Sequence, residues 1–321
     1  MKDFAGKLAV ITGGGTGMGR ALARQLIAEG CDVAICDVID ENMQETVRLC
    51  ESEAPQGIKI TAHKCDVSNE AEVQSFKQEV VDLHGRDHIN LLFNNAGIAG
   101  MYSFVDGDRD GWERTFNICW YGVYYCSRAF MPLLVASKEG HLVNTSSVNG
   151  FWASVGTDTT HSAYSAAKFA VKGFTEALIN DFRINAPHVK VSVVMPGHIG
   201  TSIVINSGKL LGGGAESMSD EDVQAVRERA EAAGTDLSAA SNDDIRALVK
   251  QRAESFRDDA PMSAEEAARD ILAGVKAENW RVLLGKDAVV LDELVREDPK
   301  SAYEESFMTR LRDRTNWGLD S

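Results

Sequence analysis

The sequence predicts a doubly wound α/β fold, in which helices cover both faces of a parallel β-sheet. Short apolar stretches rich in β-branched residues alternate with longer segments whose apolar residues have helical spacing. Several of these stretches run into glycine-rich or polar turns, as is usual where a strand ends and a helix begins. Strands that alternate with helices of about ten or more residues indicate parallel pairing through right-handed crossovers.

Seven stretches are predicted as strands. In chain order they are KLAVIT (7–12), DVAICDV (32–38), IKITAHKCDV (58–67), INLLFNNAG (89–97), HLVNTSSV (141–148), VKVSVVMPG (189–197) and WRVLLG (280–285). Helical patterns fill the gaps: the first ends at Gly30, and the one before the last strand opens with a capping box of Ser263 and Glu266. Because ligands of such sheets bind beyond the carboxyl ends of the strands, site residues are expected in the following turns.

Length and charge limit the class of protein. A chain of 321 residues with 44% hydrophobic content can form one domain, predicted here over residues 1–321. The net charge is −15, divided into −6 for residues 1–200 and −9 for residues 201–321. This acidic potential opposes a polyanion, so no nucleic acid partner is expected.

The cellular compartment is predicted from two further patterns. No apolar run is long enough to span a bilayer, and the first residues lack the segments of a secretory signal. The cysteines have no CxxC or metal-site spacing and are predicted to be reduced core thiols; they are Cys31, Cys36, Cys50, Cys65, Cys119 and Cys126. We therefore expect a cytoplasmic protein with no membrane partner and no metal.

Two regions depart from the alternating pattern. Residues 202–262 contain two acidic, helix-like segments set off by glycines at 212–214 and by Gly234, and we expect a single helical insertion that closes over substrate as a lid. The alternative is an insertion that is solvated, or that contacts another subunit, and does not close over the site. Residues 286–321 are predicted to be a helical, peripheral extension.

A glycine-rich turn between the first strand and the first helix predicts a dinucleotide site. Thr12, Gly13, Gly17 and Gly19 form TGxxxGxG, which lets backbone amides approach a pyrophosphate at the helix N-terminus. Asp37 ends the second strand at about the spacing at which a carboxylate binds the adenosine ribose. Neither GGGTGM nor DVIDEN contains a Lys or Arg to neutralise a 2′-phosphate, so NAD is predicted rather than NADP.

A second motif predicts proton transfer. Tyr164 and Lys168 stand four residues apart in YSAAK, so the phenol and the ammonium project from one face of a helix. A free phenol titrates near about 10, and the ammonium together with an oxidised nicotinamide ring is expected to lower this pKa toward neutrality. The pair then suits general acid/base catalysis.

These motifs occur in the order found in the short-chain dehydrogenase/reductase family, and residues 5–201 resemble that family. The matching elements are TGGGTGMG, CDV at 65–67, NNAG, Asn117, SSV, YSAAK and PGHIGT. The resemblance implies a Rossmann-type fold and a homo-oligomer, tetramer or dimer, built through the helices that hold Asn117 and Tyr164.

The resemblance also implies four catalytic roles. Ser147 would hydrogen-bond the substrate oxygen, Tyr164 would be the acid/base, Lys168 would hold the ribose and tune Tyr164, and Asn117 would support a proton relay. Ser146 is the alternative to Ser147, because one residue of slip in a strand reverses the facing of a side chain. The segment between Ser147 and Tyr164 is a few residues longer than the family's usual spacing.

The predicted cofactor site rests both on the residue patterns and on the family resemblance. Asp66 is a candidate contact to the adenine, with a helix-capping or turn role as its alternative, and the resemblance places Ile199 against the nicotinamide and Thr201 at its carboxamide. His161 and His198 are left outside the catalytic set. The full cofactor set is Thr12, Gly13, Gly15, Thr16, Gly17, Met18, Gly19, Asp37, Asp66, Val67, Asn95, Ala96, Gly97, Tyr164, Lys168, Pro196, Gly197, Ile199 and Thr201.

The expected activity is hydride transfer between NAD and a small-molecule secondary alcohol or ketone. A fairly apolar or cyclic substrate is suggested by residues expected near the pocket, which could equally be ordinary packing: Met101, Tyr102, Phe151, Trp152 and Val155. One alternative is an epimerase or dehydratase acting on nucleotide sugars, although such enzymes typically show TGxxGxxG. The other is a non-catalytic NAD-binding sensor or scaffold, which fold alone does not exclude.

Overall fold

Seven parallel strands form one central sheet in the order β3-β2-β1-β4-β5-β6-β9. The structure, a computed structural model, describes residues 1–156, 159–232, 235–315 and 317, so Gly234 lies outside the described residues. The strands of the sheet are β1 (Leu8–Thr12), β2 (Asp32–Asp37), β3 (Ile60–Lys64), β4 (Leu91–Asn94), β5 (Gly140–Thr145), β6 (Val189–Pro196) and β9 (Arg281–Leu284). Each predicted stretch overlaps one of these strands, which confirms the doubly wound parallel fold.

Helices cover both faces of the sheet. In the first two thirds of the chain they are α1 (Gly17–Ala28), α2 (Asp40–Glu53), α3 (Glu70–His84), α4 (Arg109–Phe116), α5 (Gly122–Ala136) and α6 (Ser162–Asn185). In the last third they are α7 (Ile203–Leu211), α8 (Asp220–Ala232), α9 (Asn242–Asp258), α10 (Ala264–Lys276), α11 (Lys286–Glu297) and α12 (Glu305–Arg314). Among the described residues, no helix is both long enough and apolar enough to cross a membrane.

The core lies on both sides of the sheet, because alternate side chains of a strand point to opposite faces. In β1, Ile11 packs on the face covered by α1 and α10, with Leu22. Val10 packs on the opposite face with Phe76 of α3 and Phe130 of α5. Both faces of the strands are apolar, as expected for a parallel sheet that helices cover on each side.

Residues 202–262 form three helices among the residues described, where the sequence predicted two. The additional helix, α7, is short and apolar rather than acidic, and it ends at Gly212, whose φ of 81° is in the left-handed region. Two short strands, β7 (Ile199–Gly200) and β8 (Met262–Ser263), pair in parallel where this region leaves and rejoins the sheet. The region therefore starts and ends at one point beside β6.

The C-terminal helices have their own apolar core. In α11, Leu291 and Leu294 pack with Phe307 and Leu311 of α12. Trp152, one of the residues expected near the pocket, belongs to this core: it is 1% exposed and its ring lies 5.5 Å from that of Phe307. Packing, the alternative for Trp152, is thus what the structure shows.

Candidate active site

The turn between β1 and α1 is bound to the end of β4. The Thr12 hydroxyl oxygen accepts hydrogen bonds of 3.0 Å from the backbone N–H groups of Asn95 and Ala96. A Cβ at Gly13 would lie 2.8 Å from the Cα of Ala96, and Gly13 has a φ of 65°. Only glycine fits this position without strain, so the tight turn predicted from the sequence depends on it.

Asp37 is oriented by the backbone around it. Its carboxylate accepts hydrogen bonds from the N–H groups of Gly15 (3.0 Å), Val38 (2.8 Å) and Ile39 (3.2 Å). A carboxylate has about four acceptor sites, so capacity remains for a ribose hydroxyl. Asp37 thus keeps acceptor capacity at the edge of the cleft that it lines.

One basic side chain contacts the backbone of this turn, although it lies outside the stretches GGGTGM and DVIDEN. The guanidinium of Arg20, on the first turn of α1, donates to the carbonyl oxygens of Gly15 (2.6 Å) and Asn42 (3.1 Å) and to the Thr46 hydroxyl (3.0 Å). Arg20 and Asp37 thus both contact Gly15, so a positive charge lies near the predicted ribose site. The donors of Arg20 face the backbone of the turn, where they hold its shape.

Asp66 is held in a turn and in an ion pair. One carboxylate oxygen accepts from the N–H (3.0 Å) and hydroxyl (2.7 Å) of Ser68, and the other lies 2.6 Å from the guanidinium of Arg114. Burial acts to raise the pKa of Asp66, but the Ser68 and Arg114 contacts outweigh it and hold the pKa below its usual value. The turn role is present, and Asp66 and Arg114 also line the cleft beside it.

The cleft at this edge of the sheet has a volume of about 130 Å³. Members of the predicted cofactor set that line it are Gly13, Thr16, Gly17, Met18, Asp37, Asp66, Val67, Asn95, Ala96, Gly97 and Thr201. Helix α7 forms one wall with Ile203, Asn206 and Leu210, which the sequence did not single out. Ligand pockets usually measure about 300–1,000 Å³, so α7 narrows the cleft below the usual size.

Helix α7 is held in place by two hydrogen bonds. The Asn206 side chain donates to the Thr16 hydroxyl at 3.0 Å, and the Ala99 N–H donates to the Ser207 hydroxyl at 2.8 Å. These contacts join α7 to the glycine turn on one side and to the segment after β4 on the other. The first helix of the 202–262 region thus lies across the mouth of the cleft.

Four members of the predicted cofactor set contact other parts of the chain. A Cβ at Gly19 would lie 2.1 Å from the Gly13 carbonyl oxygen, so this glycine permits close packing of helix and turn. Pro196 ends β6, and Gly197 follows it with its N–H bonded to Leu284 at 3.0 Å. Ile199, predicted to face the nicotinamide, is 4% exposed and packs in the apolar core.

Three of the four side chains predicted to be catalytic, Ser147, Tyr164 and Lys168, converge between β5 and α6. The Ser147 hydroxyl lies beside the Tyr164 phenol, close enough to influence its pKa. The Lys168 ammonium lies 5.3 Å from the centre of the Tyr164 ring and donates to the Thr145 carbonyl oxygen at 2.9 Å. Ser146 points elsewhere, toward the backbone of α6. Ser147 is thus the serine that the structure brings to Tyr164.

Burial dominates the electrostatics of this cluster. It raises the pKa of Tyr164 above its usual value; the neighbouring Cys119 adds to the rise and the Ser147 hydroxyl opposes it. Burial also lowers the pKa of Lys168. The direction for Tyr164 is opposite to the lowering expected from the sequence, because removal of the phenolate from water outweighs an ammonium at this distance.

Asn117 marks a change of helical geometry. Helix α4 passes into a π-helical turn (Asn117–Tyr121), in which the Gly122 N–H bonds to the Asn117 carbonyl oxygen five residues earlier. Such widened turns occur frequently at functional sites. The turn packs against α6, the helix that holds Tyr164 and Lys168.

His161, which the sequence analysis left outside the catalytic set, lies against Tyr164. The two ring centres are 4.6 Å apart, and His161 is 9% exposed. Burial lowers the pKa of His161 to about 4, with the Gly100 carbonyl opposing, so the ring is neutral at neutral pH. Its Nδ1 is buried without a hydrogen-bond partner among the described residues. The three-residue spacing to Tyr164 was the signal that could have identified it.

A larger groove of about 1,400 Å³ lies between α7 and α9. Met101 and His198 face it, and His198 is held by the Phe256 carbonyl oxygen at 2.8 Å. The other residues expected near a substrate contact protein: Phe151 lies under the guanidinium of Arg281 at 5.7 Å. Val155 is 8% exposed.

Comparisons with known proteins agree with this arrangement. A family model described as short chain dehydrogenase matches residues 7–210. The Mycobacterium tuberculosis protein named oxidoreductase SadH is 34% identical over 296 residues, which cover 92% of this chain and 92% of that protein. Meso-2,3-butanediol dehydrogenase of Serratia marcescens is 35% identical over 200 residues, 62% of this chain and 74% of that protein.

A solved structure shows the same architecture. The structure of a short chain dehydrogenase/reductase from Burkholderia phymatum in complex with NAD has a TM-score of 0.73 to this chain at 25% identity, and the match covers 94% of this chain and 96% of that one. The family model covers more than half of the chain, and the SadH alignment spans nearly all of it. The protein therefore belongs to the short-chain dehydrogenase/reductase family of oxidoreductases.

Proposed function

We propose that this protein is an NAD-dependent dehydrogenase that acts on the CH–OH group of a secondary alcohol, or on the ketone in the reverse direction. The observation that carries the proposal is the convergence of the Ser147 hydroxyl, the Tyr164 phenol and the Lys168 ammonium between β5 and α6. The cleft that contains Asp37 opens at the same edge of the sheet. A cofactor bound there would have its adenosine end at Asp37.

Each of the three side chains has a definite task. Bound NAD supplies the acceptor, and NADH the donor, of the hydride. Ser147 donates a hydrogen bond to the substrate oxygen, and Tyr164 exchanges a proton with that oxygen as general acid/base. Lys168 has three donors, of which one is bonded to Thr145, so two remain for the ribose of the cofactor. The positive nicotinamide ring would oppose the effect of burial on the Tyr164 pKa.

Two observations favour NAD over NADP. Asp37 presents a carboxylate where a 2′-phosphate would lie, and the donors of Arg20 are bonded to the turn. The Burkholderia phymatum relative was solved with NAD. The alternative that the cofactor site is retained only for sensing requires neither Ser147 nor Tyr164.

We further propose one domain over residues 1–321, with residues 202–262 as a lid and residues 286–321 as a C-terminal extension. Because α7 lies across a cleft of about 130 Å³, smaller than a usual ligand pocket, we expect this helix to move outward when a dinucleotide binds. The groove between α7 and α9 has Val204, Ile205 and Phe256 in its wall, which suits an apolar or cyclic substrate. The butanediol dehydrogenase relative acts on a compound that has secondary hydroxyl groups.

A homo-oligomer, tetramer or dimer, remains part of the proposal. The helices that hold Asn117 and Tyr164 expose large side chains: Tyr124 is 37% and Phe169 41% exposed. Such surface favours contact with a second copy. Six buried, unpaired cysteines support a reducing, cytoplasmic location.

A cofactor-reduction screen tests the proposal. Purified protein is incubated with NAD or NADP and a panel of secondary alcohols that includes small, cyclic and aromatic members, and absorbance of the reduced nicotinamide is followed. We expect the wild-type protein to form NADH together with an equal amount of the ketone. The Tyr164→Phe variant should form no detectable NADH. Conversion of a nucleotide sugar without net NADH would favour an epimerase or dehydratase. NAD binding with no turnover across the panel would favour a sensor.

A further inference from the structure

The segment after Ser147 is held by the C-terminal part of the chain. We call residues 147–156 the Ser147 loop, and residues 286–317, as far as they are described, the C-terminal segment. The indole N–H of Trp152 donates to the Ala302 carbonyl oxygen at 2.6 Å, in a buried hydrogen bond. The Ala153 N–H donates to the Tyr303 hydroxyl at 3.1 Å. The loop therefore gains partners about 150 residues away in sequence.

A third contact lies near the far end of the loop. The indole N–H of Trp317 donates to the Val155 carbonyl oxygen at 3.2 Å, and this hydrogen bond is also buried. The Trp317 ring lies 5.6 Å from the Trp152 ring and meets it edge-on. Trp317 thus binds both the backbone and the core side chain of the Ser147 loop.

Inside the loop, hydrogen bonds continue to Ser147 itself. The Asn149 side chain donates to the carbonyl oxygens of Trp152 (3.1 Å) and Ser154 (2.6 Å). The Asn149 backbone N–H donates to the Ser147 hydroxyl oxygen at 3.1 Å. A continuous set of contacts therefore joins the C-terminal segment to the hydroxyl that faces Tyr164.

The same C-terminal segment also reaches the turn after β6. Asp287, at the start of α11, accepts a hydrogen bond of 2.7 Å from the His198 backbone N–H. Asp292 forms an ion pair of 2.6 Å with Arg281 of β9, and Arg281 covers the Phe151 ring. Helix α11 is thus anchored to the sheet between the two loops that flank the predicted nicotinamide position.

We propose that the C-terminal segment is a positioning element that holds the Ser147 hydroxyl against Tyr164 and so sets the affinity for the alcohol. This inference rests on the proposed function. A loop of this length without such partners samples many conformations, whereas a functional hydroxyl must be held within about 0.5 Å. The C-terminal segment lies beyond residues 7–210, the part that the family model matches. The sequence motifs therefore do not predict its contacts with the Ser147 loop.

The first test compares two tryptophans. Trp317→Phe removes the N–H that binds Val155 and keeps an aromatic ring in the core, and Trp280→Phe, at a 46% exposed tryptophan, is the matched control. We expect Trp317→Phe to lower kcat/KM for the alcohol about three- to tenfold, the range of one lost hydrogen bond, with the dissociation constant of NAD unchanged. Tyr303→Phe, a milder change at the surface, should act in the same direction.

A double-mutant cycle separates positioning from mere stability. If Trp317 acts through Ser147, Trp317→Phe has no further effect on kcat/KM in a Ser147→Ala background. Losses that add fully, or a lower melting temperature with unchanged kcat/KM, would overturn the proposal. If Ser147→Ala is too slow to assay, cyclohexanone binding to the enzyme–NADH complex, measured by NADH fluorescence, replaces kcat/KM in the cycle.

Failure of the proposed function gives a different result. Wild-type protein would then reduce no NAD with any alcohol, and the positioning claim is tested by hydrogen exchange instead. The amides of residues 149–155 must exchange faster in Trp317→Phe than in wild type or Trp280→Phe. Equal exchange rates in the three proteins would reject the inference.

Discussion

The Ser146 hydroxyl donates a hydrogen bond of 2.7 Å to the backbone carbonyl oxygen of Lys168. This bond is buried and directs Ser146 into the packing between β5 and α6, while the next residue, Ser147, meets the Tyr164 phenol. A Cβ at Gly150 would lie 2.2 Å from the Ser146 oxygen, so the close approach of the backbone to Ser146 requires glycine at this position. The two neighbouring serines that follow β5 thus face different environments.

The two serines are predicted to fail differently when replaced. Ser147→Ala should reduce kcat strongly, because it removes the donor to the substrate oxygen; the lost acceptor of the Asn149 N–H should lower the melting temperature as well. Ser146→Ala should lower the melting temperature, because a buried carbonyl loses its partner at a cost of about 1–3 kcal/mol, and should reduce kcat less. Steady-state kinetics and thermal unfolding of both variants check this; the reverse pattern would assign the role to Ser146.

Tyr164→Phe is predicted to reduce kcat about 10²- to 10⁴-fold, the usual contribution of general acid/base catalysis. The ring still packs against His161, whose centre lies 4.6 Å away, so the fold should be kept. NAD affinity, measured by quenching of protein fluorescence, should change little. Activity close to that of wild type would show that Tyr164 is structural.

Asp37→Ser is predicted to weaken NAD use and raise the ratio of NADP to NAD activity. The change removes the carboxylate that opposes a 2′-phosphate and leaves the positive charge of Arg20 nearby. Because Asp37 also binds three backbone N–H groups, Asp37→Asn serves as the control that keeps an acceptor without the charge. Both ratios are obtained from kcat/KM with each cofactor; an unchanged ratio in Asp37→Ser would reject the assignment.

Residues 202–262 are predicted to gain protection from hydrogen exchange when NAD and substrate bind together. In α7, Asn206 and Ser207 already bond to both walls of the cleft, and the paired strands β7 and β8 provide a fixed base about which the helices can move. Exchange is compared for free protein, the NAD complex and the ternary complex. Unchanged protection, with normal activity after the region is shortened, would favour the alternative, an insertion that is solvated or contacts another subunit.

Stability is predicted to fall as the pH drops from 7.5 to 5.5. Burial lowers the pKa of His141 and of His161 to about 4, against an ordinary value of 6.5. Between these values the unfolded chain binds more protons than the folded one, so the stabilisation is complete above 6.5 and is lost as the pH falls toward 4. Each residue should contribute a loss of about 1 kcal/mol at pH 5.5.

His141→Asn checks this pH dependence, because His141 lies in β5 away from Tyr164. Urea unfolding at several pH values should give a shallower fall in the free energy of unfolding for the variant than for wild type. The range above pH 5.5 is chosen because most carboxylates remain ionised there. Parallel curves for the two proteins would contradict the assignment of the effect to His141.

Local sequence patterns were sufficient to predict the sheet and the glycine-rich turn between β1 and α1. The apolar strands, the positive φ at Gly13 and the capping box at Ser263 with Glu266 all depend on neighbours within a few residues, so the sequence predicts them directly. Asp37 was found in the same way, because its distance along the chain from the glycine turn is set by one helix and one strand.

Contacts between distant segments required the tertiary structure. The contacts of Arg20 with Asn42 and Thr46, and of Trp317 with the Ser147 loop, result from how distant elements pack, which no spacing motif encodes. Trp152, expected near the pocket, lies instead in the C-terminal core because of such long-range packing. The sequence by itself determined the parallel fold, the glycine turn and the YSAAK pair, since each follows from local geometry. Only the tertiary structure decided which serine meets Tyr164 and what covers the cleft, because side-chain direction and burial depend on residues brought together from across the chain.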